Sequence, residues 1–434
     1  MTDSLKARSL GLDFGTTNTV VARGDADGGT QLVRFGSPPS ASAVFRSALC
    51  FWEDERAWQG VAHEAGPWAI EEYLQSPLDC RFIQSFKSVA ASPLFERTLI
   101  YNRPYGFEDL GRTFLQHLVH HAGEALTALP DRIIIGRPVE YAGARADAQL
   151  ARQRYDLMFE AFGTELIYVY EPLGAAHSYA ARLDRPATIL VADFGGGTTD
   201  FSVVRIAEPN ASRRCTPLAH AGIAIAGDQF DYRIIDQLVL PLLGKGGQYR
   251  SFGKVLDIPG GYFADFGNWS RLALMRSRKT LDELRRLQRD ALDPEQIGRM
   301  IKLIENEQGF ALYDAVGQLK RALSSNEAAR FAFNGGGIAI SADVERSQFE
   351  QWIATDLHHI EATMDHALAK AGVTTSDIDK IFLTGGSSLI PAIRKLFERR
   401  FGREHIATGD ELTSIAHGLA LIGMESDPAQ WAAG

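Results

Sequence analysis

The sequence predicts an α/β protein of two similar lobes, each built on a mixed sheet flanked by helices. Three observations predict it. An apolar strand that delivers an aspartate into a Gly/Thr turn occurs twice, as Gly11-Leu12-Asp13-Phe14-Gly15-Thr16-Thr17 and as Val191-Ala192-Asp193-Phe194-Gly195-Gly196-Gly197-Thr198. Short apolar runs alternate with stretches of helical period in both halves. The chain, at 434 residues, is too long for one small core. Two copies so far apart suggest duplicated lobes, not a short-period repeat.

The elements follow in order. Ser9 to Phe14 reads as a buried strand, with further strands over Thr19 to Arg23 and Gln31 to Phe35 around the hairpin signal Asp25-Ala26-Asp27-Gly28-Gly29. The proline-rich stretch from Ser37 to Asp109 reads as a smaller subdomain of helices and loops. Phe114 to Leu129 has helical period, and Arg132 to Ile135 is a strand stopped by Arg137-Pro138. Leu166 to Tyr170 is a strand, and Pro172 opens a helix. Ala187 to Ala192 and Thr199 to Ile206 are strands around the second turn. A helix runs from Gly227-Asp228 through Leu243, and Gly244 to Gly267 reads as a glycine-rich loop or insertion. Asn268 to Leu323 is mostly helical with a break near Asp293-Pro294, and a hairpin turns over Asn334 to Gly337. Phe349, Trp352, Ile353, Leu357, Ile360, Met364 and Leu368 share one helical face. Lys380 to Thr384 is a strand leading through Gly385-Gly386-Ser387 into a last helix. The expected domains are lobe I over residues 1–186, with about 36–112 inserted, lobe II over 187–424, with about 229–345 inserted, and a tail over 425–434.

Composition narrows the function. Hydrophobic residues are 45% and charged residues 23%, and the net charge of -9 argues against a sequence-independent grip on nucleic acid or an anionic membrane. Cys50, Cys80 and Cys215 form no C-x-x-C pair and read as buried thiols. The N-terminus has no apolar signal core and no apolar run approaches membrane-spanning length, so the expected location is cytoplasmic. The pairs His120-His121 and His358-His359 fit no metal-ligand spacing and read as helix-surface histidines. The basic run Arg394-Lys395 to Arg399-Arg400 reads as a solvated helix face.

The Asp-x-Gly-x-Thr turn suits a phosphate. Glycine lets backbone N–H groups approach phosphate oxygens, threonine adds a hydroxyl donor, and an aspartate at a strand end can take a metal-bound water or orient an attacking one. One such turn alone is more often only a turn; the second copy reverses that reading. Gly244-Lys245 and Gly253-Lys254 lack the spacing of a Walker loop, so this is a different phosphate grip. The turn Thr384-Gly385-Gly386-Ser387-Ser388 admits a flat ring or ribose, and equally a helix N-cap by Ser387 or Ser388.

The order Asp13-Phe14-Gly15-Thr16-Thr17-Asn18, Glu171-Pro172-Leu173-Gly174-Ala175-Ala176, Asp193 to Asp200, Ala226-Gly227-Asp228-Gln229-Phe230-Asp231 and Thr384 to Ser387 resembles the nucleotide-binding domain of the seventy-kilodalton heat-shock chaperones, within the actin-like ATPase superfamily. It looks closest to a short bacterial branch without the peptide-binding half. The resemblance runs from about Leu10 to about Gly423. It implies ATP or ADP with Mg²⁺, held at Asp13 and Asp193. It implies a phosphate cradle of Gly15, Thr16, Thr17, Asn18, Gly195, Gly196, Gly197 and Thr198. Glu171 and Asp200 would flank the attacking water, with Asp193, Thr198 and Lys87 as further catalytic groups. Gly227 and Asp228 would also bind the nucleotide, and Lys320, Arg321, Ser324, Gly385, Gly386, Ser387 and Leu389 would line the nucleoside. The family's glutamate on the Lys320 helix is Gly317 here, and its adenine-stacking arginine is Leu389. Arg321 and Leu389 could still sandwich the ring.

The resemblance implies slow ATP hydrolysis that biases lobe closure, read by client proteins or co-chaperone-like partners. Three other functions share such a fold: a bacterial actin-like filament, which usually has glutamate at the Asp200 position; a sugar or acetate kinase, for which no acceptor site is legible; and a non-hydrolysing nucleotide sensor.

Overall fold

Apolar runs pair into two sheets of one design. The computed structural model describes residues 7–37, 40–142, 145–209, 211, 214–267, 272, 275, 277–407 and 412–433. The chain forms two compact units: Met1–Ala226, His359–Leu389 and Ile393–Gly434 make the first, and Gly227–His358 with Ile390–Ala392 the second.

In the first unit β1 (Ser9–Phe14) lies antiparallel to β2 (Asn18–Gly24), with Asp13 opposite Val20, and β2 continues to β3 (Thr30–Leu32) and a short β4 (Phe45–Arg46). The next strands leave this sheet. β5 (Ala48–Glu53) is central between β6 (Val61–Ala65) and β7 (Cys80–Gln84), and β8 (Thr98–Ile100) pairs β9 (Arg103–Tyr105). Helices α1 (Gly66–Gln75) and α2 (Phe107–Ala122) accompany them. This corrects the expectation of helices and loops between Ser37 and Asp109. β5 is an apolar run without alternation, and its partners Glu64 and Phe82 for Cys50 come from separate later segments, so no local window displays the sheet. α2 also begins seven residues before the expected Phe114 and stops at Gly123, whose φ is 54°.

β10 (Arg132–Arg137) and β11 (Glu165–Tyr170) complete the first sheet in the order β3-β2-β1-β10-β11, with β1, β10 and β11 parallel. Between them α3 (Ala148–Phe159) starts at Asp147, whose carboxylate accepts the N–H groups of Gln149 and Leu150. α4 (Glu171–Ala180) follows β11 with Pro172 in its first turn.

β12 (Ala187–Phe194) opens the second sheet and is apolar nearly throughout because both faces are covered. It is antiparallel to β13 (Thr199–Ile206), with Asp193 opposite Asp200, and β13 is antiparallel to β14 (Cys215–Ile223). The chain then builds the second unit. There α5 (Gly227–Leu238) ends short of the expected Leu243, where Leu240–Leu243 form a single 3₁₀ turn carrying Pro241. The glycine-rich stretch holds a hairpin, β15 (Gln248–Ser251) with β16 (Lys254–Asp257), not only a loop. The start of the expected helical stretch at Asn268 lies outside the described residues. Helices Arg278–Asp290 and Pro294–Glu305 separate at Asp293, which caps the second, and the helix Gly309–Ser325 precedes the hairpin β17 (Ala328–Gly335) and β18 (Ile338–Glu345). The shared apolar face after Phe349 is divided at Ile353 between helices Arg346–Trp352 and Ala354–Ala371. β19 (Lys380–Thr384) and β20 (Ile406–Ala407) return to the first unit and add parallel to β12, giving β14-β13-β12-β19-β20. Strand for strand, this repeats the order and directions of the first sheet.

One core joins Ile134 and Ile167 of the first sheet with Ile189, Val191 and Phe382 of the second, through α4 and the helix Ser414–Gly423. That helix lies so close to α4 that a Cβ on Gly418 would stand 1.6 Å from the Gly174 carbonyl oxygen, so only glycine fits. The three cysteines are buried free thiols. The basic run is not simply solvated: Arg400 pairs with Glu361 and Asp365, and Arg399 with Glu361. Among the described residues no helix is long and apolar enough to cross a membrane.

Candidate functional site

Aromatic packing positions the first loop. Phe14, fully buried, lies 5.5 Å from Phe86 and 5.6 Å from Phe114 between ring centroids. Its chain neighbours Asp13 and Gly15 are therefore fixed at the strand end, and Lys87 is fixed beside Phe86. Phe194 does the same for the second loop, packing against Phe201 and Phe397.

The two turns close alike. The Gly15 N–H donates to the Asn18 carbonyl at 3.0 Å, and the Gly195 N–H donates to the Thr198 carbonyl at 3.0 Å. Thr16 and Thr17 occupy the first turn and Gly196 and Gly197 the second, all half-exposed between buried strands. The loops face each other: a Cβ on Gly197 would stand 3.8 Å from Thr16 Oγ1. Ser47 braces the first turn, its Oγ donating to the Gly15 carbonyl at 2.7 Å and its N–H to the Thr17 carbonyl at 3.0 Å. The Asn18 side chain is engaged sideways, accepting from Arg46 Nη1 at 2.8 Å.

A buried ion pair, Lys87 Nζ to Glu171 Oε1 at 2.6 Å, lies close enough to Asp13 and Asp193 to act on both. Glu171 is the first residue of α4, where the positive end of the helix dipole favours a carboxylate. Desolvation works against the Lys87 charge, but Glu171 and Asp13 outweigh it and raise its pKa. Asp13 is pushed up to about 7 by desolvation and the Glu171 charge, with Lys87 opposing. Burial, followed by Glu171, Asp13 and Asp200, pushes Asp193 far up. Asp200 rises to about 7 through burial and Glu171, opposed by the Thr198 hydroxyl and two backbone amides. Those amides belong to Val139 and Glu140, at 3.0 and 3.2 Å from Asp200 Oδ1. Four carboxylates thus crowd one ammonium, an arrangement that favours a bound cation.

The third glycine turn joins the second loop. Gly385 has a φ of 81°, and a Cβ there would meet the Phe194 carbonyl oxygen at 2.2 Å. Gly386 follows, Ser387 Oγ donates to the Gly195 carbonyl at 3.4 Å, and Ser388 Oγ to the Gly385 carbonyl at 2.6 Å. Leu389 is 58% exposed.

The remaining expected residues lie in the second unit. Lys320 pairs with Asp231 Oδ1 at 2.7 Å and donates to the Gly227 carbonyl at 3.2 Å, at the start of α5. Desolvation and Asp231 raise Asp228 to about 6, with Lys320 opposing. Ser324 Oγ turns back to the Lys320 carbonyl at 3.0 Å, and Arg321 is exposed.

The motifs gave no sign of Val139, Glu140, Ser47 and Arg46. The stop at Arg137-Pro138 marked the turn that carries the first two, but nothing local indicated that their amides meet Asp200. Ser47 and Arg46 carry no motif.

Twin Asp–Gly turns on two sheets of the same strand order define a mixed α/β protein with a buried Lys–Glu pair near its turn aspartates. The sequence profile of the family described as Hsp70 protein matches residues 299–429, which include the helix Gly309–Ser325 and the Gly385 turn. A curated relative, "Chaperone protein DnaK" of Mycoplasmopsis agalactiae, is 22% identical over 419 residues, 95% of this chain. The chain spans 58% of the length of that relative. Both matches are to Hsp70 proteins and support a likeness to the Hsp70 nucleotide-binding domain, and the mixed α/β fold is consistent with it.

Proposed function

We propose that this chain binds ATP with Mg²⁺, hydrolyses it slowly to ADP and phosphate, and serves as a chaperone-like or regulatory nucleotide switch read by a client or partner protein. The observation that carries the reading is the Lys87–Glu171 pair set among Asp13, Asp193 and Asp200 between two matching glycine turns. The donor set suits a divalent cation, because Asp13 and Asp193 end equivalent strands and the Asp13 charge helps to raise the Asp193 pKa. These two would hold Mg²⁺, which when bound neutralises charge on phosphate oxygens.

The protein's own groups do the rest. The amides of Gly15 to Asn18 and Gly195 to Thr198, with the hydroxyls of Thr16, Thr17 and Thr198, cradle the phosphates. Lys87 Nζ donates to the terminal phosphate. Glu171 and Asp200 orient a water for in-line attack, and Asp200 is held for that role by Val139 and Glu140. In the first unit, Gly385, Gly386, Ser387 and Leu389 are proposed to meet the nucleoside.

Calorimetric titration of ATP, GTP and ADP, with and without Mg²⁺, followed by phosphate release, tests this. Magnesium-dependent ATP binding with slow release is expected. Binding without release would make the chain a nucleotide sensor, and absence of any nucleotide binding would overturn the reading.

A further inference from the structure

Away from the loops, β6 and α2 bring together a second cluster of ligating groups. His117 and His121 are four residues apart on α2 and so share one face. Glu64 reaches them from β6: its Oε1 is 2.8 Å from His117 Nδ1 and 3.0 Å from His121 Nε2. The three ligand atoms lie within 4.8 Å of one another. The same oxygen also accepts the Ala65 N–H at 2.8 Å. All three side chains are mostly shielded, with 16%, 13% and 22% exposure for His117, His121 and Glu64.

The surroundings hold the rings in place. His121 stacks face to face on Trp68, with centroids 3.6 Å apart and planes 1° apart. The far nitrogen of His117, Nε2, lies 2.8 Å from Nδ1 of His63, the residue before Glu64. A ligating histidine is characteristically fixed by a partner on its other nitrogen. His121 is therefore not the helix-surface residue expected from its pairing with His120; the relevant spacing is His117 to His121.

We propose that Glu64, His117 and His121 form a binding site for one divalent transition ion of the zinc class, with His63 holding His117 in the ligating orientation. Two imidazole nitrogens and one carboxylate oxygen are a donor set for Zn²⁺, Co²⁺ or Ni²⁺, whereas Mg²⁺ and Ca²⁺ take oxygen. Three protein ligands leave a position for water. Because the ligands come from a strand and a helix 53 residues apart in the chain, from Glu64 to His117, the ion clips β6 onto α2.

The test is a Co²⁺ titration of the metal-stripped full chain without nucleotide, followed by visible absorption. One Co²⁺ per chain should give the intense bands of a four-coordinate nitrogen-ligated ion, displaced by one equivalent of Zn²⁺. His117→Gln and Glu64→Gln should each abolish the spectrum, and His63→Ala should weaken binding about 10-fold to 100-fold. Asp193→Asn, in the loop site, should leave it unchanged. Zn²⁺ should raise the melting temperature of the wild type and not that of His117→Gln. No cobalt spectrum from the wild type, or only weak six-coordinate bands, would overturn the site without recourse to any variant. A spectrum retained in His117→Gln and Glu64→Gln would do the same, and would leave the cluster as a hydrogen-bonded clasp.

Discussion

Lys87 and Glu171 are 84 residues apart in the chain and 2.6 Å apart in space, with only 8% of each side chain exposed. A charge buried so deeply needs its partner, and here the partner's neighbours are three more carboxylates. Any substitution at this centre therefore shifts a balance of buried charges.

Lys87→Ala leaves Glu171 buried beside Asp13, Asp193 and Asp200. Breaking one side of a buried pair typically costs about 3–5 kcal/mol. The melting temperature without nucleotide should fall, and phosphate release should drop about 10²-fold, the usual cost of a lost charged donor at a reacting group. Turnover at the wild-type rate would remove Lys87 from the chemistry.

Asp193→Asn should move stability and function in opposite directions. The substitution removes a carboxylate whose charge is disfavoured first by burial and then by Glu171, Asp13 and Asp200. In chelator, unfolding by urea should require more denaturant than for the wild type. Calorimetry should show ATP binding that no longer responds to Mg²⁺. A less stable metal-free variant would mean that like-charge crowding is not what the loops store.

Gly418→Ala should destabilise without touching the loops. Its methyl group would collide with the Gly174 carbonyl where Ser414–Gly423 crosses α4. Overpacking of this kind costs about 1–3 kcal/mol or more. Thermal unfolding should report it; a melting temperature equal to the wild type would show that the crossing can open.

The pH dependence of stability should carry a contribution from His220. Burial, with Lys370 nearby, lowers its pKa to about 4, and its Nδ1 is 2.6 Å from Ser202 Oγ. With the folded pKa below the unfolded value of about 6.5, the unfolded chain binds more protons between those pH values. The stabilisation is complete above pH of about 6.5 and is lost as pH falls through about 4, a swing of up to about 3 kcal/mol. Urea unfolding between neutral pH and pH of about 5 should steepen for the wild type and flatten in His220→Gln. Parallel curves would sink the assignment.

The readable part of this fold was local. β1 and β12 announce themselves as apolar runs that end in Asp-Phe-Gly, and Pro172 and Asp293-Pro294 mark helix starts by fixed φ and capping, whereas the helix capped by Asp147 was not read. The sheet of β5, β6 and β7 was not readable, because its pairings link Leu49 to Ala65 and to Ile83, and the pattern within each strand is too short to specify them. The same holds for β15 and β16, where every residue of β16 is exposed and no buried face marks the strand. Among the candidate site residues, those in glycine turns were legible, because a turn that approaches a ligand needs a particular residue at each position. Val139 and Glu140 act through their amides, which every residue but proline has, and the histidine cluster depends on a strand and a helix meeting.

By itself, then, the sequence determined the mixed α/β class and the two Asp–Gly turns, since glycine, proline and apolar period act on the chain within a few residues. Only the tertiary structure decided that the two sheets share one strand order, that Lys87 is buried against Glu171, that Asp200 is tied to the turn after β10, and that Glu64 meets His117 and His121. Those relationships are set by which apolar faces can be buried together, and burial is a property of the whole packed chain.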